Sequence, residues 1–380
     1  MRKQGGNLIL LDTGDAITGT GRYARIKADF YAQVFARMAY DAVGVGEIEA
    51  KLMSESGQPN LYGDSVGTVC ANLVDFSTGK LLASKPYVVR TTKGGLKVGI
   101  ISVVGEEYIG ASSPGMRALP PMETVAKYME ELRGKSDFVI VISHGEATAR
   151  RIAADVPGID VILSGHSVGP AADKPEQIGS VIFMRSKSQG ESVGKLALDI
   201  GEDGKITSFT GERAELNSDI KDDPEIVRLI DQQEQALRDY YASLATVTVG
   251  RQEPKAFVAS AKCGECHAAE YKAWQATQHA KAFERLRKDN RTQDSDCLQC
   301  HATGFKMPGG FTSEEATPEM KGVQCESCHG TGIAHVRKPA KGYGLVFEST
   351  CKRCHTYAKS PDFEYNEYKR QIIHLPESNK

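Results

Sequence analysis

Four short stretches have the residue types and spacing to do chemistry: Cys263-Gly264-Glu265-Cys266-His267, Cys297-Leu298-Gln299-Cys300-His301, Cys325-Glu326-Ser327-Cys328-His329 and Cys351-Lys352-Arg353-Cys354-His355. In each, two cysteines three positions apart share one helical turn and an imidazole follows at once. Two thiols so placed reach the two vinyl groups of a porphyrin, and the histidine takes the iron from one side, which is the c-type haem attachment pattern. Zinc ribbons and redox dithiols share the paired cysteines but have no need of a histidine after every pair. Four c-type haems are therefore expected. Cys263, Cys266, Cys297, Cys300, Cys325, Cys328, Cys351 and Cys354 would attach them, and His267, His301, His329 and His355 would be the proximal ligands. Of nine cysteines only Cys70 lies outside the motifs, in the apolar-flanked stretch 66–73, and it reads as a buried thiol without functional weight.

The motifs begin at Cys263, Cys297, Cys325 and Cys351, intervals short enough to force the macrocycles against one another. The surrounding sequence is poor in aliphatic residues, so the haems must serve as its core, and without them the segment is expected to be largely unfolded. Three further histidines, His279, His335 and His374, face four vacant sixth positions and are taken as distal ligands. One iron is left over. It could stay five-coordinate and open to a small molecule, take Met307 or Met320, or borrow a histidine from another subunit of a homo-oligomer.

From about Lys262 to His374 the residues resemble the tetrahaem cytochrome c-554 family. The resemblance rests on Cys263 to His267 followed by Tyr271, Trp274 and His279-Ala280. It continues in Cys297-Leu298-x-Cys300-His301-x-Thr303-Gly304, and in Cys325-Glu326-x-Cys328-His329-Gly330 with His335-Val336 beyond it. It implies that the three spare histidines are distal ligands and that the haem on His301 lacks a protein sixth ligand. Gly330-Thr331-Gly332 replaces that family's Gly-Pro-Gly, a small departure.

The elements upstream alternate short apolar runs with helical patterns over about 215 residues, which argues an α/β unit. Strands are expected at 7–11, 42–45, 97–104, 138–143 and 161–163, with helices near 27–40, 122–133 and 147–154. Residues 181–184, and the pair 195–200 with 205–211, read as antiparallel edge strands. Asp15, His144 and His166 fall in loops at strand ends. With Asp12-x-Gly14-Asp15, Ser143-His144-Gly145 and Gly165-His166-Ser167, these loops resemble calcineurin-like metallophosphoesterases of the 5'-nucleotidase branch. Such enzymes activate water between two metals about 3.5–4 Å apart. The resemblance makes Asp15 the bridging carboxylate and His144 and His166 metal ligands. Against it, that family's Gly-Asn-His-Glu block is Gly44-Val45-Gly46-Glu47 here, the last histidine of its Gly-His-Ser-His is Val168, and its opening Asp-x-His has no counterpart. The remaining Asp15, His144 and His166 are expected to be vestigial, too few for a dinuclear centre, with a weak mononuclear metal site as the alternative, and phosphatase activity is not expected.

Apolar residues at 40%, charged residues at 25% and a net charge of -2 fit a soluble globular chain and select no nucleic acid. No apolar run approaches the roughly 20 residues that cross a bilayer. Asp223-Pro224 starts an amphipathic helix that reads as a linker. The expected organisation is two-domain: an α/β metallophosphoesterase-like sandwich over 1–220, a linker helix over 221–250, and a mainly α, loop-rich multihaem cytochrome domain over 251–380. Haem attachment of this type takes place outside the cytoplasmic membrane, so a periplasmic or extracellular location is expected, with a signal peptide upstream of the given chain. Electron transfer is the expected function, with redox donor and acceptor proteins or a small-molecule redox substrate as partners. The alternatives are a haem enzyme acting on a small nitrogen compound such as hydroxylamine or nitric oxide, and the protomer of an extracellular cytochrome filament.

Overall fold

The computed structural model describes residues 7–373 except 20, 65, 110–114, 167–173, 186–189, 191, 202–203, 218, 249–256, 357–358 and 361. The chain divides into two compact units, Met1–Gln233 and Glu234–Lys380. The division falls inside the helix expected as a linker, α5 in the numbering below.

In the first unit β1 (Leu11–Asp12), α1 (Gly21–Met38), β2 (Ala42–Val43) and α2 (Glu47–Ser56) come first. They are followed by β3 (Leu73–Asp75), β4 (Tyr87–Thr91), β5 (Lys97–Val104), β6 (Met116–Ala118) and α3 (Pro121–Lys135). Then come β7 (Phe138–His144), α4 (Glu146–Asp155), β8 (Val161–Gly165), β9 (Glu176–Ile178), β10 (Val181–Arg185), and the hairpin β11 (Ser192–Ile200) with β12 (Ile206–Glu215), after which α5 (Pro224–Thr248) runs across the division. The main sheet has six strands in the order β4-β5-β7-β8-β10-β9. Its four inner strands are parallel, and β4 and β9 close the two edges antiparallel.

Alternation along β7 shows how the sheet is buried on both faces. Val139 and Val141 join Ile101, Val103, Ile162 and Phe183 against Val125 and Leu132 of α3 and Ala149 and Ile152 of α4. Ile140 and Ile142 join Ile100 and Ile182 on the other face, where Leu11, Ala42, Leu196, Leu198 and Phe209 pack from β1, β2 and the hairpin. The unit is thus a layered α/β structure with helices on one face and a second β layer on the other.

Two sequence expectations are corrected. Residues 181–184 form no edge: β10 pairs parallel with β8 on one side and antiparallel with the short β9 on the other, and its side chains are buried. The hairpin forms as expected but pairs only with itself, standing beside the main sheet as a separate layer.

The second unit contains α6 (Ala259–Gly264), α7 (Ala268–Gln275), α8 (Ala282–Lys288), α9 (Ser295–His301), α10 (Cys325–His329), α11 (Ile333–Arg337), α12 (Glu348–Cys351) and α13 (Tyr365–Ile372). These helices are short, and the apolar cluster among them is small: Phe257, Ala259, Phe283, Leu286, Leu298, Ala302, Phe311 and Met320. No described helix is long and apolar enough to cross a membrane.

Candidate haem sites and a histidine-carboxylate cluster

Each Cys-x-x-Cys-His motif is wound into a helical turn. α9 and α10 contain the whole second pair with His301 and the whole third motif. In the first and fourth, the backbone N–H of the histidine donates to the carbonyl of the first cysteine, His267 to Cys263 and His355 to Cys351, both at 2.9 Å. This puts both thiols and the imidazole on one side of a single turn. The rings are aimed by their far nitrogens. His301 Nδ1 lies 2.7 Å from the carbonyl of Ala282, His329 Nδ1 2.6 Å from that of Gly344, and His355 Nδ1 3.0 Å from Ser360 Oγ. An Nδ1–H that donates to a carbonyl leaves the Nε2 lone pair for a metal.

Sequence alone could not say which spare histidine lies opposite which motif histidine, and two such ring pairs are seen in the structure. His267 and His335 face each other with centroids 6.3 Å apart and planes 26° apart. His279 and His355 face each other at 6.1 Å. An iron about 2 Å from each ring nitrogen, with each nitrogen about 1 Å from its centroid, sets the two centroids of a bis-imidazole pair about 6 Å apart. The described structure therefore has the spacing of two axial pairs. Burial, then the neighbouring His355, pushes the His279 pKa down, and burial does the same for His355, which favours the neutral form that binds metal. Tyr343 stacks on His335 at 4.4 Å and Phe363 on His355 at 4.7 Å, which locks those planes. His374, the third expected distal ligand, lies outside the described residues. Met320, considered for the fourth iron, is buried in the apolar cluster, and Met307 is exposed.

Thiol contacts order the motifs in space. The Cys263 thiol of the first lies beside and perturbs that of Cys325 of the third, and the Cys300 thiol of the second does the same to that of Cys354 of the fourth. Cys328 feels the charge of Cys351, which joins the third to the fourth. The succession is first, third, fourth, second.

Residues that carried the resemblance without an assigned role hold this arrangement. Glu326, buried between the cysteines of the third motif, accepts from the backbone N–H groups of Val258, Ala259 and Gly332, tying α6 to α10. Thr303 donates through Oγ1 to the carbonyl of Gly322 and accepts from Gln324 N. Trp274 Nε1 donates to the carbonyl of Val323 at 2.9 Å.

In the first unit, Asp15, His144 and His166 do come together, and Glu47 joins them. Asp15 follows β1, Glu47 opens α2, His144 ends β7, and His166 follows β8. His144 Nε2 lies 2.9 Å from Glu47 Oε2, 3.1 Å from His166 Nδ1 and 3.5 Å from Asp15 Oδ2. His166 Nδ1 lies 3.5 Å from Glu47 Oε1 and 3.9 Å from Asp15 Oδ2. Burial lowers the His144 pKa, but Asp15 and Glu47 outweigh it and raise it to about 10. Behind the cluster the buried Glu49 accepts from the N–H groups of Asp15, Ala16 and Gly46 and from Tyr62 Oη. Burial, then the charge of Asp15, pushes its pKa up to about 7. The three expected residues converge, and a fourth donor, Glu47, comes from the very block whose asparagine and histidine are missing.

Residues 262–330 match the family model for cytochrome c554 and c-prime. Over 146 residues the chain is 36% identical to cytochrome c-554 of Nitrosomonas europaea, an alignment covering 33% of this chain and 62% of that one. The C-terminal segment resembles the cytochrome c-554 family. The imidazole pairs and helical attachment turns fit c-type haem as that likeness implies: the eight motif cysteines would bond it and the histidines would ligate its iron. The family match ends before the fourth motif, which rests on its own residues.

Upstream of the cytochrome c-554-like segment the relatives are different. The chain is 28% identical over 250 residues to an apyrase of Tabanus yao, covering 60% of this chain and 45% of that one. The structure superposes on a 5'-nucleotidase precursor from Thermus thermophilus with a TM-score of 0.53 at 20% identity, covering 63% of this chain and 51% of that one. This shows a shared fold for the first unit. The chain spans less than two thirds of the length of each of these relatives.

Proposed function

We propose that this chain is a multihaem c-type cytochrome that carries electrons through four closely packed haems in the periplasm or outside the cell. The observation that carries the reading is the pair of facing imidazoles, His267 with His335 and His279 with His355, at the separation an iron between them requires. Haem supplies a one-electron iron couple. The chain's own residues fix the rest: the carbonyls of Ala282 and Gly344 aim the proximal rings, and burial keeps His279 and His355 neutral. The succession first, third, fourth, second makes a single file, with the His267 site at one end and the His301 site at the other. Redox proteins that deliver and remove electrons at those ends are the natural partners.

A second reading has a specific support. His279 and His335 already face other rings, and the Met320 side chain is held in the apolar cluster. With His374 serving His329, the His301 site would keep an open position, where a small nitrogen compound such as nitric oxide or hydroxylamine could bind. The test is haem content per chain, electron paramagnetic resonance of the oxidised protein, and the optical spectrum of the reduced protein before and after carbon monoxide is added. Four haems, three low-spin and one high-spin and reactive with carbon monoxide, support the relay with an open end. Four low-spin haems indifferent to carbon monoxide sink the second reading and leave a conductor; absence of covalent haem overturns both.

A further inference from the structure

We propose that Asp15, Glu47, His144 and His166 form a closed, single-ion site for a divalent transition metal of the zinc class, in place of the two-metal hydrolytic centre that the fold of the first unit usually carries. Four donors at about 2.0–2.1 Å from one ion sit about 3.4 Å from one another in a tetrahedron. The imidazole nitrogens lie 3.1 Å from each other and 2.9 to 3.9 Å from carboxylate oxygens of Asp15 and Glu47, and one donor atom from each of the four residues lies within 4.8 Å of all the others, close enough to gather on one ion with a small contraction. Two imidazoles with two carboxylates suit zinc and its neighbours, whereas magnesium and calcium take all-oxygen sets.

The outer hydrogen bonds leave the right atoms free. His144 Nδ1 is 3.0 Å from the carbonyl of Thr13, so it donates there and turns Nε2 to the cluster. Asp15 Oδ1 accepts from Ile48 N at 3.1 Å, leaving Oδ2. Asp15 and His166 both hold left-handed backbone, φ 58° and 45°, strain of a kind found where side chains are forced to converge.

Gly46 shows that the site has been rebuilt and not merely lost. A Cβ at residue 46 would lie 2.2 Å from Asp15 Oδ1 and 2.8 Å from His144 Cε1. No side chain fits there, so the space that a histidine would need is the space over which Asp15 and His144 close. With four protein donors the ion keeps no position for water or phosphoester. The role is to cross-link the ends of β1, β7 and β8 to the start of α2, as a structural zinc does.

The test uses the full haem-loaded chain, freed of metal with a chelator, incubated with zinc chloride and desalted. The expected result is one zinc per chain, with an absorption-edge spectrum of four nitrogen and oxygen neighbours and no hydrolysis of a phosphodiester above blank. Glu47→Gln and His166→Ala should each weaken zinc binding by more than the roughly 10- to 100-fold that loss of an outer-shell partner costs, at unchanged haem content and circular dichroism. The proposal is overturned by no bound zinc, by two ions per chain, by sulfur in the metal's shell, by zinc-dependent hydrolysis, or by binding that survives either substitution.

Discussion

Replacing His335 by alanine should leave every haem attached and convert one low-spin centre, that of His267, to high spin. Paramagnetic resonance reads this directly, and an unchanged spectrum would show that the two rings facing at 6.3 Å are not an axial pair. His279→Met should move the potential of the His355 centre upward, on the order of 0.1 V within the roughly 0.8 V that axial ligands and their surroundings command. Glu326→Ala strips three backbone N–H groups of their acceptor and should lower the stability of the haem-bearing unit by at least about 3 kcal/mol, seen as a lower thermal midpoint. Legibility at this scale follows locality. The attachment residues were readable because cysteine, cysteine and histidine lie within five positions. The spare histidines were readable as candidates, but their pairing was not, since His267 and His335 are brought face to face by folding. Glu47 was overlooked for a different reason: it was read as a remnant of a damaged block, while its role depends on β1, β7 and β8 ending beside it.

Among elements, the start of α2 is the most constrained. Gly46→Ala should cost about 1–3 kcal/mol through forced displacement of Asp15 and His144, measurable as a lower denaturation midpoint of the first unit with haem content unchanged. The inner strands β5, β7 and β8 were legible as continuous apolar runs, the pattern of a parallel sheet covered on both faces. By the same rule the buried run of β10 marks an inner strand, and its assignment to an edge failed because the short β9, with one face half exposed, gives little apolar signal of its own. The short helices of the second unit had little periodicity to read, since helices of four to eight residues make only one or two turns.

For the whole molecule, the two units differ in what holds them. The first has three apolar clusters built on its sheet, the second one small cluster among short helices. A chain made without haem should therefore keep the sheet signature of the first unit and lose most of the helix of the second, giving a circular dichroism spectrum dominated by one surviving domain. Thiol counting offers a sharper check. Cys70 is fully buried, and burial pushes its pKa up to about 11. The haem-loaded protein should react with a thiol reagent not at all when native and once per chain when denatured; nine thiols would mean that no haem was attached. The order of the attachment motifs has a further consequence, in the timing of synthesis. The polypeptide is made in the order first, second, third, fourth, while the thiol neighbours run first, third, fourth, second. On the proposed relay, a chain stopped before Cys351 would carry three attachment motifs with the second cut off from the other two, so conduction from end to end should appear only once the fourth is in place.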